Sequence, residues 1–239
     1  MNETAAFWEL SPLEIEAIGL SLKVSFWAVF FTLPLGIVVA WVLARCEFWG
    51  KSLFNGFVHL PLILPPVVVG YLLLVVLGRR GVLGAWLFDV FGITVAFTWK
   101  GAAVAAAVMA FPLMVRAIRL SIESVDMRLE QAARTLGANP FRVFASVTLP
   151  LSLPGVFVGL LLAFARCLGE FGATITFVSN IPGETRTLPL ALYSLVQSPG
   201  GDAGALRIVL ISVALAMVAL VASEILARRM NARIGGSGR

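Results

Sequence analysis

Apolar and polar positions along this chain vary on two length scales. On the longer one, five apolar runs near Ile18 to Ala44, Leu53 to Leu77, Ile93 to Ile118, Leu149 to Leu168 and Arg207 to Ala227 reach the length of about 20 residues that a helix needs to cross a hydrocarbon layer. On the shorter one, the segment Glu130 to Pro150 is polar and basic between apolar neighbours. Leu129, Ala132, Ala133 and Leu136 fall at i, i+3, i+4 and i+7, while Arg128, Gln131 and Arg134 face elsewhere, which predicts a short amphipathic helix. Asp126 can cap its start and Gly137 its end. Pro140 prevents simple continuation, so the chain should turn and climb through Phe141 to Val147 toward the run at Leu149 and Pro150. A helix of about ten residues is marginal alone in water, so this one needs a groove on a partner.

Prolines and glycines modify the long runs. Pro61, Pro65 and Pro66 interrupt the second, and broken backbone survives at membrane depth only where protein or a wet cavity satisfies it. The segment reads either as a pathway or gate element or as a packing kink. The fourth run carries Gly155 and Gly159, a small-xxx-small face suited to close helix contact, a dimer seam being one use of it. The stretch Glu170 to Gly204 is too short in apolar residues to span twice, and Leu188 to Val196 within it predicts one short helix dipping into the membrane or lying on its outer face. This stretch reads as an outer docking surface and part of an outer gate, with an ordinary connecting loop as the plainer reading.

Charge then sets orientation. With the N-terminus outside, the inner segments hold Arg45, Lys51, Arg116, Arg119, Arg128, Arg134, Arg142, Arg228, Arg229, Arg233 and Arg239, against Arg79, Arg80, Arg186 and Arg207 outside, a bias of eleven to four. The expected order is an extracytoplasmic segment over 1–17, a transmembrane domain over 18–229 with a cytoplasmic loop over 119–149, and a cytoplasmic tail over 230–239, frayed from Ile234. Lys23, Lys100 and Arg166 lie inside runs, toward the outer half. A cation at the bilayer centre costs about 2.5 to 3.5 kcal/mol, and much less near the interface. Lys23 and Arg166 can snorkel, with Glu170 four residues beyond Arg166 on the same face. Alternatively these cations line an outward vestibule that favours a small oxyanion.

Composition fits the pattern: of 239 residues, 59% are hydrophobic and 13% charged, and the mean hydropathy is +0.96. The chain is therefore expected to be all-α, a polytopic membrane bundle of about five transmembrane helices with a short amphipathic cytoplasmic helix and the short outer helix. The net charge of +5 follows from topology, and no nucleic-acid partner is implied. Cys46 and Cys167 sit in different settings and are expected to be free thiols. Glu3, Glu9, Glu14 and Glu16 precede a first run too long for a signal-peptide core. Gly50, Lys51 and Ser52 mimic the end of a phosphate loop, but no buried strand precedes them and the first glycine of the motif would fall at Arg45. His59 is the sole histidine and lacks companions for a metal site, so it is expected to satisfy a backbone group or to sit at the membrane boundary.

The spacing of the polar segment resembles the signature loop of binding-protein-dependent ABC importer permeases: Glu-Ala-Ala, three residues, Gly, nine residues, an aliphatic, one residue and Leu-Pro. Gln131, Ala132, Ala133, Gly137, Val147, Leu149 and Pro150 hold those places. Gln131 stands where the acid is usual, with Glu130 one residue earlier, which leaves open the side chain that makes an acidic contact. Nearly the whole chain is similar to the molybdate-type permease, from LSLKVS through HLPLILPPVVVGYLLL and FPLMVRAIRL to GEFGATITFVSNIPGETRTLPLALY. The resemblance implies a type I importer in a bacterial inner membrane. It implies a second copy of the chain, two cytosolic ATPase subunits holding ATP and Mg, an extracytoplasmic substrate-binding protein, and molybdate or tungstate as cargo. No cofactor or metal is expected on this chain. Leu129, Glu130, Gln131, Ala132, Ala133, Arg134, Leu136 and Gly137 are the expected coupling residues, and Pro61, Pro65, Pro66, Lys100, Arg166 and Glu170 the candidates for pathway or gate. A sulfate-type permease is the nearest rival; an intramembrane hydrolase or a passive scaffold would need activity in the isolated chain or independence from ATP.

Overall fold

Helices are the only regular elements among the described residues of the structure, a computed structural model that describes the backbone of residues 10–235 and the side chains of 10–222 and 225. Glu3, Glu9 and the tail residues 236–239 lie outside the described residues, as do the side chains of Arg228, Arg229 and Arg233. Backbone up to Gly235 is helical, so the fraying expected from Ile234 does not begin there.

Helix α1 runs over Pro12–Arg45. Its start is fixed by a reciprocal cap, in which the Ser11 N–H donates to Glu14 Oε2 at 2.7 Å and the Glu14 N–H donates to Ser11 Oγ at 3.3 Å, with Pro12 at the first helical position. The helix thus begins before Ile18 and takes up part of the expected outer segment. At 34 residues it measures about 51 Å, well beyond the hydrocarbon thickness.

The second run is two helices, α2 over Lys51–Ile63 and α3 over Pro66–Leu77, meeting at 111°. Pro65 and Pro66 lack the N–H groups that would continue α2, and Pro66 starts α3 with its fixed φ. A ten-residue helix that the hydropathy pattern did not suggest, α4, follows over Val82–Phe91. It is too short to register as a span, and its Val82, Trp86 and Phe91 are exposed.

Helix α5, Trp99–Glu123, is the axis of the bundle. It begins at Trp99, later than the apolar run, because Phe97 takes a positive φ and Thr98 accepts the Gly101 N–H as a cap. Its buried Ala102, Ala105, Ala106 and Ala110 let neighbouring backbones approach, and Met109, Met114, Ile118 and Ile122 fill the space between. Against it pack α1 and the helix α7, Pro140–Leu168. A Cβ on Gly155 would overlap Ser121, and one on Gly159 would come within 3.1 Å of the Met114 carbonyl. The small-residue face of the fourth run is therefore consumed inside the chain, against α5, and not at a dimer seam.

Three further elements complete the end of the bundle where α1 begins: α8 over Gly172–Val178, α9 over Leu188–Val196 and the start of α10 over Asp202–Gly235. The bounds of α9 match the short helix expected there. Its first N–H, on Leu188, donates to Ser21 Oγ of α1 at 2.7 Å, and Arg207 of α10 pairs with Glu14 at 3.0 Å. Helices α1, α5, α7 and α10 are long and apolar enough to cross a membrane, and the bent pair α2–α3 makes a fifth span if counted as one.

Candidate functional site

The short helix between the spans, α6, covers Met127–Thr135. Asp126 caps it, its Oδ1 accepting the Arg128 N–H at 2.9 Å. Gly137 ends it with φ +85, where the Ala138 N–H reaches back to the Ala133 carbonyl at 3.1 Å. Side chains rarely adopt that backbone region, which costs an L-residue roughly 1–2 kcal/mol, so the glycine terminates the helix cleanly. Asn139 then accepts the Arg142 N–H and Pro140 opens α7 at once, so the fourth span starts at the loop itself and not at Leu149.

Most of α6 faces away from the bundle. Leu129 is 49% exposed and Leu136 88%, with Gln131, Ala132, Arg134 and Gly137 also exposed and Ala133 half-buried. Glu130 departs from that set. It is 4% exposed and turned inward, where its Oε1 accepts from Arg45 Nε at 2.9 Å and from Thr148 Oγ1 at 2.9 Å. The acidic side chain at this place therefore holds the helix to the bundle and is not presented on its free face. Arg45 closes the α1 end of the contact and also donates to the Val125 carbonyl at 3.0 Å. In the sequence Arg45 stands out as a basic residue flanking an apolar run and Thr148 as the residue between Val147 and Leu149, with no local mark of this contact.

Thr148 lies in a wide-turn stretch of α7, Phe144–Thr148, with π-type bonding. Pro150 explains its position: with no N–H and a ring that crowds the carbonyl four residues earlier, it disfavours regular α-helix through Ser146.

The pathway candidates separate into two groups. Pro61 and Lys100 line one groove of about 1050 Å³ between α1, α2, α3 and α5, walled by Phe31, Phe57, Leu72 and Phe111. Lys100 is exposed and, among the described residues, forms no ion pair, whereas Lys23 lies over the Trp99 ring at 3.9 Å. Pro65 and Pro66 set the bend beside this groove. Arg166 and Glu170 lie outside it, paired to each other at 2.7 Å, and Glu170, 3% exposed, accepts the Ala173 N–H at 2.9 Å. That pair fixes α8 against α3, where a Cβ on Gly172 would sit 2.7 Å from the Pro66 ring and one on Gly70 2.9 Å from Ala173 Cα.

The stretch over 170–204 is a knit structure. Thr185, 0% exposed, accepts the Ile181 N–H at 2.9 Å and donates to the Ser179 carbonyl at 3.1 Å. Asn180 accepts from Arg186 at 3.0 Å and donates to Ser194 at 2.7 Å, and Glu184 accepts the Trp99 N–H at the start of α5 at 3.3 Å. None of these partners is marked by local pattern. His59 satisfies the Asn55 carbonyl at 2.8 Å, and Cys46 and Cys167 are free thiols.

Residues 32–232 match the family described as "Binding-protein-dependent transport system inner membrane component". The chain is 65% identical over 226 residues to the molybdenum transport system permease protein ModB of Escherichia coli, covering 95% of this chain and 99% of that one. It is 58% identical over 223 residues to the protein of the same name from Haemophilus influenzae, covering 93% and 97%. Its fold is similar to a crystallised bacterial ABC transporter involved in import of the acidic polysaccharide alginate, with a TM-score of 0.74, 20% identity, and 95% and 82% of the two chains covered.

Proposed function

This chain belongs to the family of binding-protein-dependent transport inner membrane components, and we propose from that premise how it serves as the permease of an ATP-driven molybdate importer. It is a transport subunit and not an enzyme. The observation that carries the reading is α6: a capped helix held to the bundle through Glu130 while Leu129, Ala132 and Leu136 are exposed on its outward face. An apolar stripe on a short, rigidly placed helix suits insertion into a cleft of a cytosolic ATPase, and two copies of the permease would present two such helices to an ATPase dimer. ATP and Mg belong to that partner. Closing of the ATPases would draw the two helices together and shift the bundles between inward-open and outward-open states, a rigid-body transition of a bistable assembly.

On the outer side, the knit surface formed by α8, α9 and the loop between them supports docking of a loaded binding protein. The groove lined by Lys100 and Pro61 supports the passage, completed by a second copy. One unpaired cation among apolar walls attracts a tetrahedral dianion without holding it, which favours transit over storage. Sulfate has the same shape and charge, so molybdate uptake measured in competition with sulfate defines the cargo. The test of the α6 reading is Leu136→Asp. It places a charge on the most exposed apolar position of the stripe and should abolish copurification of the ATPase and molybdate uptake while leaving the permease in the membrane at normal level. Copurification and uptake at wild-type levels would refute the assignment.

A further inference from the structure

The contact among Arg45, Glu130 and Thr148 has a layout that packing alone does not require. Two residues from separate elements converge on a single carboxylate oxygen of a third: Arg45, the last residue of α1, and Thr148, the last residue of the π-type stretch of α7, both donate to Oε1 of Glu130 in the first turn of α6. The arginine side chain is 10% exposed and the carboxylate 5%, so both charges have left water. Removing one partner from such a pair leaves an uncompensated buried charge, and apolar residues of like volume would often hold a protein together as well. The second guanidinium nitrogen continues the contact to the Val125 carbonyl, in the link between α5 and α6.

Elsewhere α6 offers the bundle little. Leu129 and Leu136 point outward, and the helix packs against the first turns of α7, the π-type stretch included. A displacement applied to the exposed stripe therefore reaches α1 through one ion pair, and it reaches the π-type stretch of α7 through the Thr148 hydroxyl together with direct packing. The hydroxyl lies at the end of the only π-type stretch among the described residues, where the helix has already left regular bonding and can change its winding at small cost.

We propose that Arg45, Glu130 and Thr148 are positioning residues that couple α6 to α1 and to the π-type stretch of α7, so that movement of the short helix is passed to two spans at once. This inference rests on the reading of α6 as the ATPase-docking helix. Its signature is the ratio of molybdate imported to ATP hydrolysed by the reconstituted permease–ATPase complex with its binding protein, a readout that a loss of folded protein alone would leave unchanged because it scales both quantities together.

Two variants test it. Thr148→Val keeps the shape of the side chain and removes one hydrogen bond, and is expected to lower the ratio several-fold. Glu130→Gln removes the charge and is expected to lower it about tenfold, within the range by which residues on a coupling network alter coupling between sites. Exchanging the pair, Arg45→Glu with Glu130→Arg, should restore part of the loss if the ion pair carries it. A wild-type ratio in Thr148→Val and in Glu130→Gln would overturn the proposal, whatever the yield of either protein. Leu136→Asp keeps the two readings apart: an ATPase that stays attached in that variant refutes the docking role of α6, whereas a detached ATPase there with an unchanged ratio in the other two refutes only the coupling role of this contact.

Discussion

Lys100 and Arg166 carry the same charge in neighbouring spans, and their surroundings give them different work. Arg166 is held by Glu170 at 2.7 Å, and Glu170 also takes the Ala173 N–H, so the pair is a bracket for α8. Lys100 stands at the groove, exposed and, among the described residues, without an acidic partner. Lys100→Ala should leave assembly intact and reduce molybdate uptake about tenfold at low anion concentration, the lower end of what focused charge contributes to association rates. Uptake at the wild-type rate, with equal permease in the membrane, would remove the lysine from the pathway. What sequence could say at this scale depended on distance along the chain. The caps at Asp126 and Gly137 act within a turn and were legible, as was the backbone partner of His59. The roles of Glu130 and Arg45 were not, because they are 85 residues apart and nothing local marks a carboxylate as one that turns inward.

At the level of elements, close approach of backbones decides more than apolar length. The α5–α7 contact depends on Gly155, whose Cβ position is already occupied by Ser121, and on Gly159 one turn later. Gly155→Ala forces the two helices apart and should destabilise the permease by about 1–3 kcal/mol, the usual cost of overpacking a filled interface. The comparison is Gly19→Ala on α1, where a Cβ meets nothing within 4 Å and no loss is expected. Thermal unfolding of the two detergent-solubilised proteins separates them, and equal midpoints would mean that the seam gives way freely. The five apolar runs, the break at Pro65 and Pro66, and α9 were readable from period and punctuation. Helix α4 was not, since ten residues fall below any spanning length, and the π-type stretch was not, since a proline such as Pro150 marks a disturbance of the bonding four residues earlier without saying which form it takes.

For the whole molecule, the structure gathers its polar contacts at two opposite ends of the bundle. One end holds Arg45, Val125, Glu130 and Thr148; the other holds Glu14, Arg207, Glu184 and the first turn of α5. Between them lies an apolar surface that includes Phe26, Phe30 and Phe31 on α1 and Val213, Met217 and Val218 on α10, more than half exposed in each case, which suits lipid or a second copy and not water. The excess of arginine and lysine at the first end predicts that it faces the cytosol. Trp49 is fully exposed in the loop between α1 and α2, and Gln197 is exposed just after α9, so a single cysteine at either place reports its own side. In a variant lacking Cys46 and Cys167, Gln197→Cys should react with a membrane-impermeant maleimide in spheroplasts, whereas Trp49→Cys should react only in inverted vesicles. The reverse pattern would put α6 on the outer face, where no ATPase could reach Leu129 and Leu136. The mechanism would then lose its source of force, even though every helix kept its place.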